Sequence, residues 1–270
     1  MRYIFDNDLH IHSKLSLCSN DPAQTTAAIL TYAQKFGLKT ICLTDHYWDE
    51  NVKGAESFGF YSNQDYAHIA AALPLEKADG IEFLFGCETD MKADMTLGIS
   101  KEAFDKFDFV VIPTTHLHMN GFTCRGDEDS AERAKLWIDR FDALLDMDIP
   151  FKKVGIAHLT CSLMSPGKYD EVLKLIPDSE MERVFKKAAE RGVGIELNFG
   201  MSELFPNEKT TCDLDTIMRP YRIAKKVGCK FYFASDAHHP AELEAEKKKA
   251  ERVIDLLELT EDDKFYIGEK

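Results

Sequence analysis

The chain has 270 residues, with 47 Asp and Glu against 33 Lys and Arg, and a formal net charge of −14. That balance argues against a protein whose main work is holding a nucleic-acid backbone, which needs a basic footprint. Hydrophobic residues at 44% and charged residues at 30% fit a globular protein, no apolar run reaches the length of a membrane span, and one domain over residues 1–270 is expected.

At the N-terminus, MRYIFDNDLHIHS is interrupted by acids before any apolar core can form, so it lacks a secretory pattern and a cytoplasmic location is expected. Residues 8–11 read as a first strand, in which His10 and His12 stand two apart; on a strand both side chains leave on one face and can chelate one ion. TTAAILTYAQKFG reads as a helix with Ile29, Ala33 and Phe36 on one face and a stop at Gly37, leading into strand 40–44 and then Asp45 and His46. A helical pattern over 64–79 precedes strand 82–87, which ends in Glu88. Asp90 lies two residues on; Glu88 is the preferred ligand of the two because it follows the apolar run directly. Strand 108–113 runs into TTHLH, with His116 and His118. After a helix over 130–146, strand 153–157 ends at His158. SEMERVFKKAAERG has the form of a capping box, Ser179 to Glu182, with a stop near Gly192 before strand 193–197 and Asn198. TIMRPYRIAKKVG stops at Gly228; strand 230–234 then ends in SDAHHP, with Asp236, His238 and His239, and a helical pattern over 240–257 follows.

Seven strands alternating with helices predict a parallel sheet with right-handed crossovers, and an α/β fold of the distorted (β/α)7 TIM-like barrel type accommodates that number best. Eight of the nine histidines fall at or just beyond strand ends, and His68 alone falls in a helical segment. In a parallel barrel all strand ends open on one face, so these eight are expected to converge there. Imidazoles mixed with a few carboxylates suit zinc, manganese or iron; calcium and magnesium prefer oxygen ligands. The seven cysteines are an odd number without a CxxC pair, and read as reduced thiols acting mostly as small hydrophobes.

The ordered set DLHIHS, TDH, the glutamate of GCE, the THLH histidine, AHL, ELN and SDAHHP, spanning residues 8 to 240, resembles the polymerase and histidinol phosphatase (PHP) family of metal-dependent phosphoesterases. The resemblance implies a (β/α)7 barrel with two to three divalent ions at the C-terminal ends of the strands. On this sequence His10, His12, Glu88 and Asp236 would hold the first ion; Glu88 would bridge to a second, completed by His116 and His158; His46 and His238 would hold a third. The chain departs from the family pattern at Cys18, where many of its phosphatases carry a further histidine; there the cysteine ligates as a thiolate, or the third ion is weaker or absent, and a non-ligating, small hydrophobic cysteine is the preferred reading. His118 and His239 are second-choice positions, Asn198 either lines the pocket or forms a turn, and Asp45 is expected to orient a neighbouring imidazole.

Three long segments, 47–66, 118–130 and 199–211, should border the site. A phosphate needs cationic partners besides metal; Arg125 and Lys209 are the candidates, Arg125 the better because its planar fork matches phosphate oxygens. Tyr47, Trp48, Phe58, Phe60 and Tyr61 either pack against an organic moiety or fold their loop onto the barrel. The expected activity is hydrolysis of a small phosphomonoester by a metal-activated water, with Asp236 or His238 moving the proton, and histidinol phosphate is one possible substrate. The alternatives are a phosphodiesterase or exonuclease acting on nucleotides, and a non-catalytic metal-binding module. Neither long nucleic acid nor a membrane is an expected partner, and the sequence sets no oligomeric state.

Overall fold

A computed structural model of the chain describes residues 1–19, 21–198 and 213–268. Eight strand segments run parallel: β1 Asn7–Ile11, β2 Thr40–Leu43, β3 Glu82–Phe85, β4 Cys87–Glu88, β5 Val110–Pro113, β6 Val154–Ala157, β7 Gly194–Asn198 and β8 Lys230–Ala234. They pair as two sheets, in the orders β1-β2-β3 and β4-β5-β6-β7-β8. β3 and β4 are two halves of one strand broken at Gly86. A Cβ on Gly86 would lie 2.4 Å from the Phe109 carbonyl oxygen and 2.7 Å from the Cys42 sulfur, so only glycine lets the backbones approach this closely.

Hydrogen bonds cross both seams between the sheets. Gly86 N–H donates to Leu43 O at 2.7 Å and Glu88 N–H to Asp45 O at 3.1 Å, while Asp236 N–H donates to His10 O at 2.7 Å and His12 N–H to Ala237 O at 3.1 Å. Seven parallel strands, counting β3 and β4 as one, therefore meet edge to edge around a closed barrel, as expected. Alternation along the strands separates two apolar layers. Leu9, Cys42, Val111, Ala157 and Tyr232 pack inside with Phe265, while Ile41, Val110, Ile112, Ile195 and Phe233 face the helices.

The helices are α1 Thr26–Phe36, α2 Tyr66–Ile69, α3 Ser130–Leu145, α4 Tyr169–Leu175, α5 Asp178–Arg191, α6 Leu214–Lys226 and α7 Glu246–Leu257. α1 ends at Gly37, left-handed at φ 70°, as its sequence requires. Two expectations need correction. The pattern over 64–79 gives only the single turn of α2 and a short 3-10 turn over residues 70–72, because Pro74 lacks the N–H needed to continue the helix. The capping box at Ser179 does not form: Pro177 is the N-cap of α5, so the helix starts ahead of Ser179, and Glu182 pairs with Lys186 at 2.7 Å instead.

One α3 side chain fixes the loops that carry the site. Arg140 is fully buried and donates to the carbonyls of Met91 (2.7 Å), Thr114 (2.9 Å), Thr123 (3.0 Å) and Lys92 (3.2 Å). Burial lowers its pKa to about 10, so it stays charged at neutral pH while clamping the segments after β4 and β5.

Candidate metal centre

The strand ends bring together the residues that the sequence singles out. β1 is the least regular contributor. Its pairing with β2 shifts register between Asp8 and Ile11, so that Leu9 lies inside the barrel and yet His10 and His12 also turn inward. Two further contributors use a strained backbone just past their strands: His158 has φ 26° and Asp236 φ 53°. For residues other than glycine such conformations cost about 1–3 kcal/mol and persist where the surroundings demand them.

Glu88, buried at the centre, divides its two oxygens. Oε2 lies 3.1 Å from His46 Nδ1, 3.4 Å from His12 Nε2 and 3.5 Å from His10 Nε2. Oε1 lies 3.4 Å from His158 Nε2 and 3.9 Å from His116 Nε2. Asp236 Oδ1 joins the first side, 3.1 Å from His12 Nε2 and 3.5 Å from His10 Nε2.

What stands behind each imidazole fixes its tautomer. His10 Nδ1 meets the Glu196 carboxylate at 2.8 Å and His116 Nδ1 meets Asp90 at 3.0 Å; both carboxylates only accept, so both Nδ1 atoms carry the proton. Ser16 spends its hydroxyl hydrogen on Asp45 at 2.7 Å and therefore accepts from His12 Nδ1 at 2.9 Å. Thr115 likewise donates to His158 O at 3.2 Å and accepts from His158 Nδ1 at 3.0 Å. His238 Nδ1 donates to the Asp236 carbonyl at 2.7 Å. All five Nε2 atoms thus present lone pairs toward the cluster, and those of His10 and His12 face each other at 3.0 Å. Lone pairs turned on one another and on carboxylate oxygens repel unless positive charge lies among them, so this donor set fits divalent ions. Imidazoles backed by carboxylates or hydroxyls through Nδ1 are the usual arrangement of metal-ligating histidines.

The electrostatics agree. Burial opposes charging His10, yet Glu196, Asp236 and Glu88 outweigh it and hold its pKa well above that of ordinary imidazole. His12, opposed by burial and favoured by Asp236 and Glu88, is raised to about 9. Burial would raise Glu88, but the neighbouring imidazoles, with the charge of His10 and hydrogen bonds from His10 and His12, hold it well below the usual carboxylate range. His46 is the exception: burial lowers it to about 3, and its Nδ1 has no hydrogen-bond partner. Phe60 packs edge-on against its ring at 4.9 Å.

Among the described residues, three groups have ligand atoms within 4.8 Å of one another: His10, His12 and Glu88; Glu88, His116 and His158; and His12, Cys18, His46 and His238. Cys18 therefore stands within the cluster, with its sulfur among the possible ligand atoms. Asp45 acts one step removed from where it was expected, reaching His12 through Ser16, and Asp90 backs His116 together with the Tyr61 hydroxyl. Glu196, quoted above only as part of ELN, accepts from His10, Tyr232, His158 N–H and Asn198, and is the main support the sequence reading left without a role. His239 is a half-buried residue 3.7 Å from Asp21, and His68 in α2 donates its Nε2–H to Leu15 O at 2.7 Å; neither joins the cluster.

A cavity of about 300 Å³ opens over the cluster, lined by Cys18, His46, Glu88, His116, Asp236 and His238 on one side and by Phe58, Phe60, Met119 and Leu163 on the other, with Asp90, His118 and Asn120 completing it. The aromatic loop divides its work: Tyr47, Trp48 and Tyr61 are buried in packing, whereas Phe58 and Phe60 reach the cavity. No lysine or arginine lines the cavity among the described residues. Arg125 is not brought to it; its exposed guanidinium pairs with Asp127 at 3.0 Å and Glu132 at 2.9 Å. Lys209 and the segment 199–211 lie outside the described residues. Among the described residues no helix is long and apolar enough to cross a membrane.

Comparison with known proteins gives a consistent picture. The family model of the PHP domain matches residues 8–200, well over half of the chain. The histidinol phosphate phosphatase of Lactococcus lactis subsp. lactis, solved with zinc, L-histidinol and phosphate, is similar in fold with a TM-score of 0.55 and 17% identity over 94% of each chain. The putative histidinol phosphatase of Listeria monocytogenes is similar with a TM-score of 0.63 and 13% identity over 90% of this chain and 98% of that one. No curated protein matches the sequence.

Proposed function

We propose that this chain, which belongs to the PHP domain family, is a metal-dependent phosphoesterase that hydrolyses a small phosphomonoester. The observation that carries this reading is the division of Glu88, with Oε2 turned to His10, His12 and His46 and Oε1 to His116 and His158. A carboxylate so placed can serve two cations at once. In this reading His10, His12, Glu88 and Asp236 hold one ion, Glu88 with His116 and His158 a second, and His46 with His238 a third; zinc, manganese and iron all suit such donors. When bound, such ions make water acidic enough to act near neutral pH and supply positive charge to phosphoryl oxygens.

The chain's own residues do the rest. With no lysine or arginine among the described residues of the cavity wall, the phosphoryl group is met by the ligand cluster itself, and the apolar wall of Phe58, Phe60, Met119 and Leu163 takes the remainder of the ester. A cavity of about 300 Å³ among the described residues suits a small ester. Asp236 meets His12 through Oδ1, and its Oδ2 accepts from Asn198 Nδ2 at 3.4 Å at the cavity edge. Asp45 positions His12 through Ser16.

The test is phosphate release from a panel of monoesters, nucleotides and diesters by protein reconstituted separately with zinc, manganese and iron. Histidinol phosphate heads the panel because the Lactococcus lactis protein was solved with histidinol and phosphate. Turnover of a monoester that disappears in His10→Ala is expected. Absence of release from every ester on every metal would remove this reading.

A further inference from the structure

We propose that Cys18 supplies a thiolate to the outermost metal position, making with His46 and His238 a sulfur–nitrogen site that prefers zinc or cobalt to manganese. The inference rests on the metal-centre reading above and adds a ligand to it.

Four observations converge on Cys18. Its sulfur lies 3.0 Å from His238 Nε2, and the Nδ1–H of that ring is already spent on the Asp236 carbonyl, so Nε2 faces the sulfur with its lone pair. His46, only 6% exposed, shares the same group; its buried Nδ1 has no hydrogen-bond partner and lies 3.1 Å from Glu88 Oε2. The chain on both sides of the cysteine is pinned: Leu17 N–H donates to Gln64 at 3.1 Å, and the Ser19 hydroxyl donates to His238 O at 2.8 Å, which fixes the cysteine loop to the histidine it faces. Finally, Cys18, His46 and His238 all line the cavity, whereas His12 Nε2 is turned to His10, Asp236 and Glu88 at 3.0 to 3.4 Å.

That leaves three protein donors and an open side facing the cavity, the arrangement of catalytic zinc sites, which keep one position for water or substrate. A thiolate is a soft ligand that favours zinc and cobalt, whereas manganese favours oxygen donors. The competing account is that Cys18 remains a thiol and its S–H simply donates to His238 Nε2.

Cobalt distinguishes the two. The full chain is loaded with cobalt and examined for thiolate-to-metal charge-transfer absorption in the near ultraviolet, with metal counted on the same samples. The variants are Cys18→Ser, Cys18→His and, as a control for the other thiol near the cluster, Cys161→Ser, whose sulfur lies 3.5 Å from His158 Nδ1. The expected result is a band in the wild type and in Cys161→Ser that is missing from both Cys18 variants. Cys18→His should also keep the wild-type metal count and gain manganese binding. Cobalt bound without the band, or a band that survives Cys18→Ser, overturns the thiolate while leaving the metal centre in place. Equal manganese binding by wild type and Cys18→His overturns the preference. Failure to bind cobalt at all overturns the underlying reading as well.

Discussion

Replacing Glu196 by glutamine tests how the cluster is held. The carboxylate is fully buried and accepts four hydrogen bonds: Oε2 from His10 Nδ1 at 2.8 Å and Tyr232 Oη at 3.0 Å, Oε1 from Asn198 Nδ2 at 3.0 Å and His158 N at 3.1 Å. Every neighbour is a donor. A glutamine must turn its NH2 toward one of these pairs, leaving about two buried donors opposed. At about 1–3 kcal/mol for each unsatisfied group, Glu196→Gln should lose at least about 2 kcal/mol of folding stability. In either orientation it also removes the negative charge that favours the proton on His10 Nδ1 and so directs the Nε2 lone pair inward. Loss of such a support typically weakens metal affinity by about 10–100-fold, or about 1.4–2.8 kcal/mol. Chelator competition on the wild type, Glu196→Gln and Tyr232→Phe measures the second effect, and chemical denaturation of the same proteins measures the first. Tyr232→Phe, which removes one donor and keeps the charge, should fall between the other two in affinity. Metal affinity within twofold of wild type in Glu196→Gln would refute the reasoning, whatever happened to stability.

Other perturbations probe the parts separately. An alanine at Gly155 would place its Cβ 2.3 Å from Tyr232 Oη and 2.6 Å from Phe109 Cζ, so Gly155→Ala should cost about 1–3 kcal/mol of stability from overpacking, read from the denaturant midpoint, and should disturb the Tyr232–Glu196 bond. Arg140→Met strips four backbone carbonyls of their donor and should cost at least about 3 kcal/mol in the same assay. Arg125→Ala should leave kcat/KM unchanged within twofold, because its guanidinium is tied to Asp127 and Glu132 away from the cavity; a large rise in KM would show that it reaches substrate after all. Stripping metal with chelator should lower Tm, since a ligand present at about 100 times its Kd stabilises by about 2.7 kcal/mol; a Tm indifferent to metal would argue against a bound centre.

The positions of the clustered side chains are legible because strand ends are legible. An apolar run that stops at a histidine or a carboxylate marks both the end of the strand and the face on which the barrel opens, so His46, His116, His158 and His238 could be placed without coordinates. His10 and His12 were placed for an incomplete reason. Simple alternation puts them on the face opposite Leu9, and it is the register shift between Asp8 and Ile11 that turns all three inward, a feature with no sequence signature. Glu196 did leave a signal: a lone carboxylate between Ile195 and Leu197 in a buried strand has to point into the barrel and find donors there. Arg125 is a loop cation in the sequence, and Asp127 and Glu132 stand close enough in the chain to claim it. Cys18 stands out in the sequence only as a departure from the family pattern, and its contact with His238, fixed by the Ser19 bond to the His238 carbonyl, has no sequence signature.

The most direct test of the whole account is the metal content of Glu88→Gln beside that of the wild type and His116→Ala, counted by mass spectrometry of the intact proteins after reconstitution. If Glu88 bridges, the wild type holds two to three ions, His116→Ala loses one position, and Glu88→Gln loses both positions that share the carboxylate. A Glu88→Gln protein with the full wild-type count would contradict the bridging role and the centre built around it.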